Sequence, residues 1–218
     1  LVQGCDAQKM LGRISTNNIS VPVGKIVYTE WLNERGGIEA DLTVTRIGDE
    51  SFMIICSDLA HRHVETWLRR HIESEEQVFI VDMTSAYALI NVQGPKSREL
   101  LSRVSSADLS NEAFPYMSMR EIDVQYARAM AFRVTYQGEL GYELYIPTEF
   151  APRTFDTLMD AGNDLGVKLA GMQTLNTLRI EKGYRDYGHD IDVTDTPLEA
   201  GLSFILDFNK PNGFIGKE

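Results

Sequence analysis

Three acid-bearing segments stand out for the chemistry they could support. They are Arg35-Gly36-Gly37-Ile38-Glu39-Ala40-Asp41-Leu42, Gly138-Glu139-Leu140-Gly141-Tyr142-Glu143 and Leu178-Arg179-Ile180-Glu181-Lys182-Gly183-Tyr184-Arg185. Asp41 is the least ordinary of their acids, because it falls inside an alternating stretch where aspartate has poor β-propensity and no turn to serve. A strand carboxylate facing a cavity can accept paired hydrogen bonds from the N–H/NH2 edge of a heterocycle such as a pterin or guanine. A second carboxylate can manage protons at a reacting nitrogen. On spacing alone, a solvated or ion-paired group is the plainer reading of each acid.

Other chemistries find no support. No G-x-G-x-x-G follows a strand, and there is no Walker loop, H-E-x-x-H or G-x-S-x-G. Gly138-Glu139-Leu140-Gly141 lacks the phosphate-cradling pattern and reads as a hairpin turn. His61 and His63 lie two apart, on different faces of a helix, so they do not form a metal-ligand pair. Cys5 and Cys56 match neither a disulfide framework nor a metal spacing, and read as reduced, packed thiols.

Composition narrows the partners. The 218 residues carry 21 Lys+Arg against 32 Asp+Glu, a formal charge of −11. Nucleic acid is excluded on that balance, since phosphate binding needs clustered cations. The one basic cluster, Arg69-Arg70-His71, is answered at once by Glu73, Glu75 and Glu76 and reads as a solvated helix end. With 43% hydrophobic residues the chain has the composition of a globular domain with a real core. Its longest apolar runs fall far short of the ~20 residues that span a bilayer, so no membrane partner is expected. The opening residues carry no secretory pattern; a cytoplasmic setting is expected, with the mitochondrial matrix as the alternative.

The elements that must position the acids follow from periodicity and punctuation. Gly24–Trp31 alternates as a strand, Asn33 to Gly37 forms a turn, and Ile38–Ile47 returns with Ile38, Ala40, Leu42 and Val44 on one side and Glu39, Asp41, Thr43 and Thr45 on the other. Ser51–Cys56 is a short strand, and Asp58 is placed to cap a helix running to about His71. Val78–Val92 is strand-like, Pro95 sits near the start of a helix to about Val104, and Tyr116–Asp123 pairs with Arg128–Thr135. Tyr142–Ile146 is a further strand. Helices run from about Thr148 to Asp164 and from Met172 to Lys182, with Gly183 as the stop. Strand pairs followed by helices, twice over and without a Pro/Gly-rich linker, predict an α+β fold of two interleaved antiparallel-sheet-plus-helix layers.

Read together, these segments resemble the folate-binding aminomethyltransferase family, which includes the T-protein of the glycine cleavage system. The stretches that carry the resemblance are Tyr28 to Arg46, Gly138 to Tyr145, Leu178 to Asp190, and Thr196-Pro197-Leu198-Glu199-Ala200-Gly201-Leu202. They occur in order over nearly the whole chain. The closest likeness is to the C-terminal folate region of dimethylglycine and sarcosine dehydrogenases and oxidases. T-proteins carry an arginine on the helix leading into the Leu-Arg-x-Glu motif where this chain has Leu175, which favours the dehydrogenase-associated branch.

The resemblance implies a set of roles. The family's catalytic aspartate falls on Asp41, the aromatic of the preceding strand on Tyr28, and the pterin-edge glutamate on Glu143, with Tyr136 just before that turn. Thr43, Ile55 and Ser57 align with folate-contacting positions, ordinary strand packing being the alternative for each. Glu181 and Tyr184 are expected to anchor the helix end, and Asp82 to bond turn N–H groups. The implied region is 1–218, with the family's first strand and C-terminal β-barrel outside it. The implied cofactor is tetrahydrofolate, with FAD only on a separate flavin dehydrogenase domain. The implied activity is capture of an amine-derived one-carbon unit as 5,10-methylenetetrahydrofolate. A glycine-cleavage-type aminomethyltransferase, a folate-dependent demethylase of another donor, and a non-catalytic folate-binding module are the alternatives.

Overall fold

Residues 1–218 are described by a computed structural model that divides into two units. The first comprises residues 1–82 and 185–218, the second residues 83–184.

The first unit is a five-stranded antiparallel sheet built from β1 (Val2–Gln3), β2 (Ile26–Leu32), β3 (Ile38–Gly48), β4 (Ser51–Cys56) and β5 (Phe79–Ile80), in the order β2-β3-β4-β1-β5. Its hairpin turn is fixed by Asn33, whose Oδ1 accepts the N–H groups of Arg35 at 2.9 Å and Gly37 at 3.1 Å. Gly36 adopts φ +81°, and a Cβ on Gly37 would lie 2.3 Å from Val193 O, so both glycines are required. One face of the sheet is covered by α1 (Ala7–Ile14) and α2 (His61–Arg70). Met10, Leu11 and Ile14 of α1 and Val64 and Leu68 of α2 pack on Val27, Trp31, Ala40, Leu42, Val44 and Phe52. Each such side chain contributes roughly 1.5–3 kcal/mol by leaving water. The other face is covered by the returning chain, where Ile191, Ala200, Leu202, Ile205 and Phe214 close over Leu32 and Ile38.

The second unit is a four-stranded antiparallel sheet of β6 (Tyr87–Gln93), β7 (Met119–Val124), β8 (Ala127–Phe132) and β9 (Gly141–Pro147), in the order β6-β9-β8-β7. Strict alternation sends Tyr142, Leu144 and Ile146 into a core with Leu100, Leu101 and Val104 of α3 (Ser97–Val104) and Leu158 of α4 (Ala151–Gly162). α5 (Met172–Glu181) is stopped after its C-cap Lys182 by Gly183, φ +67°.

The α+β class with antiparallel sheets agrees with the sequence reading, and several local expectations are corrected. Val78–Val92 is two strands separated by a 3₁₀ turn at Thr84–Ala86. Asp58 opens a 3₁₀ turn, Asp58–Ala60, rather than capping α2, and its Oδ1 takes the Leu59 N–H at 2.9 Å. Asp82 meets His61 Nε2 of α2 at 3.1 Å, a contact in addition to any bonding within its own turn. In the Leu-Arg-Ile-Glu motif it is Arg179 that is buried and anchors the helix exit, donating to Tyr184 O at 2.9 Å, while Glu181 is exposed.

Candidate functional site

A β-bulge sets the geometry around Asp41. Trp31 pairs with Ala40 but Leu32 pairs with Ile38, which leaves Glu39 as an extra residue in β3. The predicted alternation therefore fails at the start of the strand. Ile38 turns onto the face of Leu32 beneath the returning chain, and Glu39 turns to the α2 side, where His63 Nε2 meets its carboxylate at 2.9 Å. Beyond the bulge Ala40, Leu42 and Val44 point into the helix-covered core as expected, and Asp41 and Thr43 occupy the opposite face.

On that face the register assembles a cluster. Tyr28 pairs with Thr43, Thr43 with Ile55, and Glu30 with Asp41. Asp41 is partly buried; its carboxylate is hydrogen-bonded to Tyr28, and its Oδ1 is buried without a donor from the protein. Burial pushes the Asp41 carboxyl up to about 6, with the Tyr28 bond opposing and the charge of Asp186 assisting. Tyr28 also lies against Phe204, ring centroids 6.2 Å apart. Ile55 is partly buried, and Ser57 follows the end of β4 with its hydroxyl 3.4 Å from Asp58 Oδ1.

Sequence reasoning missed three members of this environment. Glu30 is 0% exposed, and neither of its carboxylate oxygens has a hydrogen-bond partner. Counting back across the Asn33–Gly37 turn sets Glu30 opposite Ala40, and only the bulge at Glu39 brings it opposite Asp41. Tyr187 donates its hydroxyl to Ile38 O at 3.0 Å and Glu39 O at 3.2 Å, at the bulge itself. Asp186 precedes it, braced by His189 Nδ1 at 3.2 Å. Both arrive from the returning chain, and no periodic signal announces them.

The second unit holds the other two predicted residues. Glu143 lies on β9 opposite Asn91 of β6 and Phe132 of β8, on the face away from α3 and α4. It is partly buried and accepts the Tyr145 hydroxyl at 3.1 Å. Burial raises its carboxyl above the usual range, with the Tyr145 bond pulling the other way. Tyr136 stacks on Tyr184 with centroids 6.3 Å apart and planes 17° from parallel. Tyr184 is thus a ring partner as well as part of the helix exit.

Comparison with known proteins assigns the family to which these antiparallel sheets and their strand acids belong. Residues 1–210 match the GCVT N-terminal domain, so the chain belongs to the GCVT aminomethyltransferase family. The "4-methylaminobutanoate oxidase (formaldehyde-forming)" of Paenarthrobacter nicotinovorans is 44% identical over 217 residues, covering 100% of this chain and 26% of the relative. The mitochondrial sarcosine dehydrogenase of Homo sapiens is 35% identical, covering 99% of this chain and 25% of the relative. The chain thus spans about a quarter of the length of these two relatives. The crystal structure of glycine cleavage system aminomethyltransferase T from Bartonella henselae superposes with a TM-score of 0.84 at 26% identity, over 99% of this chain and 57% of that one.

Proposed function

We propose that residues 1–218 form a tetrahydrofolate-binding one-carbon transfer module that yields 5,10-methylenetetrahydrofolate from an amine-derived methylene unit. The observation that carries this reading is Asp41 of a GCVT-family chain: a partly buried strand carboxylate, held by Tyr28, with a buried oxygen that no protein donor meets. Acceptors so placed suit the N–H donors that a reduced folate presents, and Glu143 offers a second carboxylate of the same kind. Bound folate supplies the nucleophilic nitrogens.

The chain's own residues then have distinct tasks. Glu143 takes the amino-pyrimidine edge by charge-assisted hydrogen bonds. Tyr28 and Tyr136 present ring faces, and Thr43, Ile55 and Ser57 line the strands beside Asp41. Asp41 accepts the proton released when the folate amine is alkylated, a general-base role of ~10²–10⁴-fold. Holding the reactants in register contributes further. The methylene unit comes from oxidation of an N-methyl amine on a flavin domain outside this chain. The names of the oxidase and dehydrogenase relatives support a donor of that class. The T-protein likeness favours a second reading, a glycine-cleavage-type transferase with an aminomethyl donor; Leu175, where T-proteins carry arginine, weighs for the first.

Titration of the folded chain with tetrahydrofolate tests the binding half. Saturable binding in the micromolar-to-millimolar range is expected, about −4 to −8 kcal/mol. A folded sample that shows no binding refutes the reading.

A further inference from the structure

Glu30 is the buried acid for which the roles above have no use. Its side chain is 0% exposed and both carboxylate oxygens lack a partner, as does Asp41 Oδ1 directly across the hairpin. An ionised carboxylate in such a place would carry the full cost of losing water with nothing in return. A single proton shared between the two facing acids gives a partner to two of the three orphaned oxygens, Asp41 Oδ1 and one oxygen of Glu30. We propose that Glu30 is a positioning residue for Asp41: its carboxyl carries a proton and donates it to Asp41 Oδ1, so that the pair holds one proton and one negative charge.

The groups described around Glu30 include no cation paired with it. From β3, Asp41 is the charge that acts on Glu30, and with burial it pushes the Glu30 carboxyl up to about 8. Along β2, Tyr28 is committed to Asp41. At the end of α1 the neighbouring side chain is the Thr16 hydroxyl, which accepts the Glu30 backbone N–H at 3.1 Å. The returning 203–207 segment has Asp207 as its one ionisable residue, tied by its N–H to Thr16 O at 3.0 Å. Lys210, the first cation after that segment, gives its ammonium to Gly12 O and Ser15 O, both at 2.5 Å. No cation is thus shown on Glu30, and a proton neutralises the carboxyl in place of one. With Tyr28 on one side and Glu30 on the other, Asp41 is held from two directions, its charge confined to the sheet face.

The proton on Glu30 stands apart from the identity of the ligand; its effect on turnover rests on the folate reading. The test is an infrared pH titration of the whole chain with ¹³C-labelled glutamate, every sample carrying Glu143→Gln so that the raised Glu143 carboxyl adds no band, in the otherwise wild-type chain, Glu30→Gln and Asp41→Asn. A protonated glutamate carboxyl band at neutral pH, absent from Glu30→Gln and titrating at lower pH in Asp41→Asn, is the expected result. An otherwise wild-type chain without that band at neutral pH, or a Glu30→Gln variant that keeps it, overturns the proposal. In a one-carbon transfer assay with tetrahydrofolate and formaldehyde, Glu30→Leu should lower kcat by about tenfold with KM for tetrahydrofolate nearly unmoved, as for loss of one charge-assisted hydrogen bond. Glu30→Gln, whose amide can donate to the same oxygen, should recover most of that loss. Equal losses in the two variants contradict the donor role. If the band behaves as expected while tetrahydrofolate does not bind, the folate reading falls and the shared proton stands.

Discussion

The two sheets place a strand carboxylate in similar settings and treat it in opposite ways. On β9, Glu143 is served by a neutral hydroxyl, Tyr145, on its own strand. On β3, Asp41 faces a second acid, Glu30, and both retain unpartnered oxygens under the cover of the returning chain. A satisfied carboxylate suits a group whose task is to hold a ligand in one protonation state. A carboxylate beside another acid, with a pKa moved toward neutrality, suits a group that exchanges a proton. Under the proposed function, the contrast fits proton handling by Asp41 in the first unit and ligand holding by Glu143 in the second.

Asp41→Asn makes the largest expected difference. It keeps size and some hydrogen bonding but removes the base, so one-carbon transfer should fall by ~10²-fold or more, with tetrahydrofolate affinity within about tenfold of wild type, roughly 1.4 kcal/mol. Parallel kinetics and titration check it; a collapse of affinity would turn Asp41 into a holding residue and erase the contrast.

Glu30→Gln should act on stability. The Glu30 carboxyl is raised in the folded state, from an ordinary 4.5 to about 8. The fold therefore resists its ionisation, and stability declines as pH rises from the unfolded value toward the folded one. Removing the group should stabilise the protein at pH 8 relative to wild type by an amount on the order of a few kcal/mol, and by much less near pH 4. Denaturant melts at the two pH values measure this, and a pH-independent difference would contradict it.

Glu143→Ala should cost about 1.5–3 kcal/mol in tetrahydrofolate affinity, the range for a charge-assisted bond, and leave the rate at saturating folate largely intact. An unchanged Kd in a folded sample would make Glu143 an ordinary strand acid.

The smallest effect lies away from both acids. Glu76 receives Arg13 through both oxygens, at 2.8 and 3.0 Å, and that bond lowers its carboxyl to about 2. The contribution is complete above the unfolded value of about 4.5 and is lost as pH falls from there toward 2. Glu76→Gln should therefore flatten the acid side of the stability curve by about 1–2 kcal/mol at most, because Arg13 keeps partial access to solvent. Acid melts that superpose on those of the wild type would show the pair to be idle.

How much of this was legible in the sequence follows from how local each feature is. β9 is read correctly because Tyr142, Leu144 and Ile146 alternate without interruption and Glu143 must then face the other way. Asp41 is found because an acid in a strand centre violates β-propensity. The bulge at Glu39 is invisible to an alternation rule, since it is set by how the Asn33–Gly37 turn and the returning chain fit the strand end. Glu30 needed the register across the hairpin, which periodicity within one strand does not supply. β1 and α1 escape because a two-residue strand has no period and α1 has neither a proline nor a side-chain cap at its start, whereas α3, equally short, follows Pro95. Asp186 and Tyr187 are joined to Asp41 by tertiary packing across some 145 residues of chain, which no local pattern encodes.

The pH dependence of transfer tests the division of labour most directly. Asp41 must be ionised to accept a proton, so the rate at saturating tetrahydrofolate, with formaldehyde as donor and the uncatalysed rate subtracted, should rise with pH through a midpoint near 6. That limb should vanish in Asp41→Asn and persist in Glu143→Ala once folate is raised to saturation. An acid limb retained by Asp41→Asn, or lost in Glu143→Ala at saturation, would contradict the account.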